Sequence, residues 1–127
     1  MTIQNAELYV AGQWDWAILD GCFGKTRIRP TDVDGLVERK GKFLMLETKQ
    51  PGASIPEGQR LTHKAFVAQG NSVIVVWGSA NRPERILAMS PTNPDGVLFE
   101  HADSETLRGL TTYWYEQTER DSAKACT

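Results

Sequence analysis

Asp34, Glu47 and Lys49 are the residues whose types and spacing could do chemistry together in this chain. Two strand-like runs, Asp32–Glu38 and Lys42–Lys49, flank Arg39, Lys40 and Gly41, and Lys40-Gly41 suits a tight hairpin turn. In an antiparallel pair built on that turn, Asp34 falls opposite Glu47 and Asp32 opposite Lys49. Period two then sets all four side chains on one face, with opposed Cβ atoms ~5 Å apart. Opposed like charges destabilise a sheet and Asp is depleted in strands, so something other than folding accounts for the acids. A divalent cation would offset their repulsion. Two carboxylates with the Thr48 carbonyl between them suit Mg2+, which takes oxygen ligands and keeps several waters. Lys49 could then orient or help deprotonate an attacking water, or hold a phosphate by its charge. Such a group fits metal-assisted hydrolysis of a phosphodiester.

The elements that must position these residues read as follows. Residues 4–20 suggest a short helix, and Gly21, Gly24 and Pro30 mark an irregular connection after it. Gln50-Pro51-Gly52 stops the second strand of the hairpin. A helix from about Glu57 to Gln69 follows, with Leu61, Ala65, Phe66 and Ala68 expected inward and Gly70-Asn71 ending it. Ser72–Gly78 is continuously apolar, the pattern of a central strand buried on both faces, with the helix as its right-handed crossover. Arg85–Ser90 reads as another strand and Pro91–Gly96 as a loop. Asp103 or Ser104 caps a last helix to about Arg120, with Leu107, Leu110, Tyr113 and Trp114 inward and residues 121–127 frayed. Trp14, Trp16, Trp77 and Trp114 are assigned to the core. The order α-β-β-α-β-β-α implies an α/β protein, a mixed sheet with helices on its faces.

Asp34, followed after twelve residues by Glu47-Thr48-Lys49, resembles the PD-(D/E)XK nuclease motif. That superfamily includes restriction endonucleases, archaeal Holliday-junction resolvases, RecB-type nucleases and the VRR-NUC group. The resemblance covers residues 30–78. It implies a restriction-endonuclease-like core of αβββαβ type, a mixed sheet flanked by helices, spanning about 30–90 within a single domain of residues 1–127. It also implies a Mg2+-dependent nuclease acting on DNA, with Mn2+ able to substitute. Asp34, Glu47 and the Thr48 carbonyl would hold the metal, and Lys49 would assist the attacking water. Gln59, on the helix after the hairpin, matches a Gln that relatives carry near the metal. Relatives often add an acid from an early helix, for which Glu7, Asp15 and Asp20 are the candidates. One departure concerns the leading motif. Where the family often reads Pro-Asp, this chain has Arg29-Pro30-Thr31-Asp32-Val33-Asp34, so Asp32 is an alternative ligand or a partner for Lys49. A hairpin loop with an odd number of residues would undo the register altogether. The rival reading is a non-catalytic nucleic-acid-binding or protein-interaction module on the same fold.

Composition sets the bounds. The chain has 127 residues, 40% of them hydrophobic, enough for one core without disulfides or a structural metal. Cys22 and Cys126 are far apart, which favours a reducing, cytoplasmic setting. No apolar run approaches a membrane span, and the first residues lack the pattern of a signal peptide. A net charge of −2 argues against a pure duplex-binding module. Six cations nevertheless fall within eighteen residues: Lys25, Arg27, Arg29, Arg39, Lys40 and Lys42. They form a candidate DNA strip for duplex or branched substrates. His63, one turn beyond Gln59, could approach a substrate phosphate, although a plain surface histidine is the simpler expectation. Gly24-Lys25-Thr26 resembles the end of a P-loop, but Leu19 stands where that motif needs Gly and no helix follows. Compact nucleases of this size are common in phage and mobile elements, an origin implied by resemblance alone, and a homodimer is compatible with everything above.

Overall fold

The hairpin that carries the acids is the first part of a five-stranded mixed sheet. The computed structural model describes residues 13–125, and the chain divides into two compact units, residues 1–32 and Val33–Thr127. In the first unit, the expected helix over 4–20 lies outside the described residues as far as residue 12. Beyond that point the chain makes only a 3-10 turn, Ala17–Leu19. Trp16 precedes it at φ 63°, a left-handed backbone through which an α-helix does not run, and the Asp15 carboxylate accepts the Ala17 N–H at 2.9 Å. Trp14 and Trp16, assigned to the core, are exposed.

In the second unit the strands are β1 (Gly35–Arg39), β2 (Lys42–Lys49), β3 (Ser72–Ser79), β4 (Arg82–Ser90) and β5 (Asn93–Phe99). The helices are α1 (Glu57–Ala68) and α2 (Ser104–Ala125). The strands lie side by side in chain order; β2 and β3 run parallel through the α1 crossover, and every other neighbouring pair is antiparallel. The described order ββαβββα therefore makes a mixed α/β sheet, with two strands rather than three ahead of the crossover helix.

The two faces of the sheet have separate cores. On the α1 face, Met45, Val73, Val75, Trp77 and Met89 pack with Val67. On the α2 face, Leu44, Ile74 and Ile86 pack with Trp114, supported by Leu46, Leu107 and Leu110. This explains the unbroken apolar run of β3, whose alternate residues meet a helix on each side. The Asp103 carboxylate caps α2, accepting from the Thr106 N–H at 2.9 Å and its hydroxyl at 3.0 Å, and these bonds hold its pKa below the usual range.

Four expectations fail here, the first two for identifiable reasons. The inner face of α1 is Gln59, His63, Phe66 and Val67, whereas Leu61, Ala65 and Ala68 face out. The stripe is partly polar because Gln59 accepts from Lys49 of β2 beneath the first turn of the helix. Residues 91–96 are not all loop: β5 begins at Asn93 and includes Pro94 and Gly96. As the outermost strand it tolerates both, and an irregularity in its register with β4 takes up the residues between the Ser90↔Asn93 and Ala88↔Val97 pairs. Tyr113 is exposed, and α2 continues through Ala125 instead of fraying after Arg120.

A second irregularity, between Trp77 and Gly78, bends the β3–β4 connection. A Cβ on Gly78 would stand 2.3 Å from the Arg82 carbonyl oxygen, where backbone must move. Gly78→Ala is therefore expected to lower stability by about 1–3 kcal/mol, measured by urea unfolding. An unchanged midpoint would show that the turn has room to spare.

Candidate active site

The β1–β2 register is the one that the Lys40-Gly41 turn implies. Lys40 and Gly41 have φ of 51° and 83°, both left-handed, as the tight hairpin turn requires. Pairs run from Arg39↔Lys42 to Gly35↔Leu46. Asp34 is one residue past the last pair, outside the strand, at the position that would oppose Glu47. Its Oδ2 accepts the Thr48 backbone N–H at 2.8 Å and the Thr48 hydroxyl at 3.1 Å, which completes the ladder where β1 has ended. N–H and C=O of one strand residue point the same way, so the Thr48 carbonyl is turned to the side on which Asp34 sits.

Glu47 is 3% exposed, an unusual state for a carboxylate. It pairs with Val75 and lies on the α1 face, as does Lys49, which pairs with Trp77. The Lys49 Nζ donates to Gln59 Oε1 at 2.6 Å. This bond spans the loop between β2 and α1 and fixes the long lysine side chain across the end of the strand. The loop is itself anchored, since Trp77 Nε1 donates to the Ala53 carbonyl at 2.6 Å.

His63 is not a surface residue. It is 1% exposed, one helical turn beyond Gln59. Burial holds its pKa below the usual imidazole range, and the Lys49 charge adds to the effect. Asp32 belongs to the first unit, as does Asp20, whose carboxylate pairs with Arg29 at 3.2 Å. Glu7 lies outside the described residues.

The six cations divide between the two units. Lys25, Arg27 and Arg29 belong to the first unit. Arg39 and Lys42 oppose each other on the α2 face, the reverse side from Glu47 and Lys49. Arg39 pairs with Glu119 of α2 and stacks over Tyr115, and Lys40 reaches the same carboxylate at 3.0 Å. The Arg39 hydrogen bond holds the Glu119 pKa below its usual value. A cavity of about 420 Å3 also opens on the α2 face, between Leu44, Ile74 and Trp114, with Lys42 at its lining.

One cation escaped the sequence reading. Arg85 pairs with Trp77, with its guanidinium 4.8 Å from that ring's centre, and so continues the row Lys49, Trp77 across the α1 face. Glu100 partners it at 3.5 Å. Its strand was evident from sequence, but the strand's neighbour and register were not.

The donors at this corner are all oxygen: the Glu47 carboxylate, the Thr48 carbonyl and Asp34 Oδ1, which takes no hydrogen bond among the described residues. That chemistry fits Mg2+ or Mn2+ rather than a thiophilic ion. No group of three or more His, Cys, Asp or Glu side chains suited to a metal occurs among the described residues, so the carbonyl and water must complete any shell. Comparison of the chain with protein-family models, with curated proteins and with solved structures finds no match.

Proposed function

We propose that this chain is a Mg2+-dependent nuclease of restriction-endonuclease-like type that hydrolyses DNA phosphodiester bonds. The observation that carries the reading is the corner formed by Asp34 on Thr48, the buried Glu47, and Lys49 tied to Gln59 at 2.6 Å. A hairpin feeding a helical crossover into a parallel central strand supports it, because that is the part of the αβββαβ core that carries the motif.

Asp34, Glu47 and the Thr48 carbonyl would hold the cation, which when bound supplies Lewis-acid polarisation of the phosphate and a more acidic water. The chain's own residues do the rest. Gln59 fixes the Lys49 ammonium, so the lysine presents charge where the pentavalent phosphate gathers it, with little reorganisation. The apolar wall of Met45, Val75 and Trp77 lowers the local dielectric and strengthens that interaction.

The test is cleavage of supercoiled, single-stranded and branched DNA by purified protein with Mg2+ or Mn2+, against an EDTA control. Binding without turnover on every substrate would favour the non-catalytic module instead. Metal linkage gives a separate check: at one hundred times Kd, a cation bound only to the folded state adds about 2.7 kcal/mol of stability. Asp34→Asn should remove most of the resulting Tm increase. A full increase in that variant would move the metal away from Asp34.

A further inference from the structure

His63 takes no part in the scheme above, yet it is among the most buried side chains of the protein, at 1% exposure. Neither Nδ1 nor Nε2 has a hydrogen-bond partner among the described residues. Buried polar atoms are nearly always paired, and leaving two unpaired costs stability that a leucine or phenylalanine at this position would avoid. The position is also specific. His63 follows Gln59 by one turn on the inward stripe of α1, and Gln59 is the residue that grips Lys49.

We infer that His63, as a neutral imidazole, is a positioning residue for Lys49, its unprotonated nitrogen receiving the ammonium through an internal water behind the Gln59 bond. This rests on the nuclease reading of the site. A lysine ammonium has three N–H donors, of which Gln59 takes one. A second acceptor on the His63 side would stop the ammonium from rotating about its single bond to Gln59. A water held between a lysine ammonium and a buried imidazole would have the polar partners that an internal water needs. Burial and the adjoining positive charge both keep the imidazole neutral, which leaves it a lone pair to accept with.

His63→Phe fills much the same volume and removes both nitrogens. The expected result is a Tm equal to or above that of the wild type, with the single-turnover cleavage rate at saturating DNA down about tenfold or more and DNA affinity unchanged. His63→Gln and His63→Asn, which return an amide near the site of Nε2 or Nδ1, should restore part of the rate in one case and not the other. A purely structural histidine predicts no loss of rate in His63→Phe and no difference between the amides. The second arm needs no activity: the ring 15N resonances of His63 in the metal-free protein should move on Lys49→Met. If the wild type cleaves nothing, the nuclease reading falls and the resonances alone decide whether His63 holds Lys49. If it cleaves, but His63→Phe cleaves as fast and the resonances stay put, the inference is overturned while the nuclease reading stands.

Discussion

Glu47→Ala should abolish cleavage, with residual turnover at the limit of detection under Mg2+ and Mn2+ alike. Glu47 is the one carboxylate of the corner that is almost wholly buried, at 3% exposure, and the only other acid on the strands that adjoin it on that face, Glu38, pairs with Phe43 toward the far end of the hairpin. A nearby water cannot replace a buried anionic ligand, and a hard divalent ion loses most of its charge compensation. The fold should survive, because Met45, Val73, Val75 and Trp77 carry the packing around it. Cooperative thermal unfolding of the variant, together with a plasmid-cleavage assay, separates loss of chemistry from loss of structure. Normal cleavage by folded Glu47→Ala would sink the catalytic reading.

Lys49→Ala is expected to lower kcat by about 10²–10⁴-fold, the range for a positioned proton-transfer or charge-stabilising group, with DNA affinity little altered. The comparison that gives this result its meaning is neutralisation of Arg39, Lys40 and Lys42 together. Those three lie at the far end of the hairpin, and Arg39 and Lys42 sit on the opposite face of the sheet. Glu119 already offsets Arg39 and Lys40, so the triple variant should keep kcat and change the salt slope of binding by less than three phosphate contacts would. Single-turnover rates and binding titrations at several salt concentrations check both halves. A Lys49→Ala variant that lost affinity but kept kcat would make the lysine a mere substrate clamp.

The corner was legible because its determinants are local. A two-residue turn at Lys40-Gly41 fixes the register, and the register alone brings Asp34 toward Glu47. The apolar run of β3 likewise announces a strand covered on both faces. What failed depended on partners distant in sequence or on polarity at the site. Apolar periodicity chose Leu61 and Ala65 for the inside of α1, and nothing local to the helix announces that Gln59 bonds Lys49 and that His63 is buried beside it. Pro94, Asp95 and Gly96 spell a turn by composition, yet an outermost strand accommodates them. Pairing of Arg39 with Glu119, eighty positions later, leaves no trace in local pattern.

That long reach also bears on how the chain comes together. Every residue of the candidate site in the second unit, from Asp34 to His63, is made before β3 begins at Ser72. The face built from Leu44, Ile74 and Ile86, by contrast, waits for α2, the last of the described elements in chain order. Until α2 docks, a nascent chain bears a nearly finished candidate site on one side of its sheet and bare aliphatic surface on the other. Contacts between elements this far apart form late, and intermediates with open sheet faces aggregate. The vulnerable interval in this protein's biogenesis therefore lasts until α2 has been made and docked, and chaperone dependence should track lesions in α2 rather than in the hairpin.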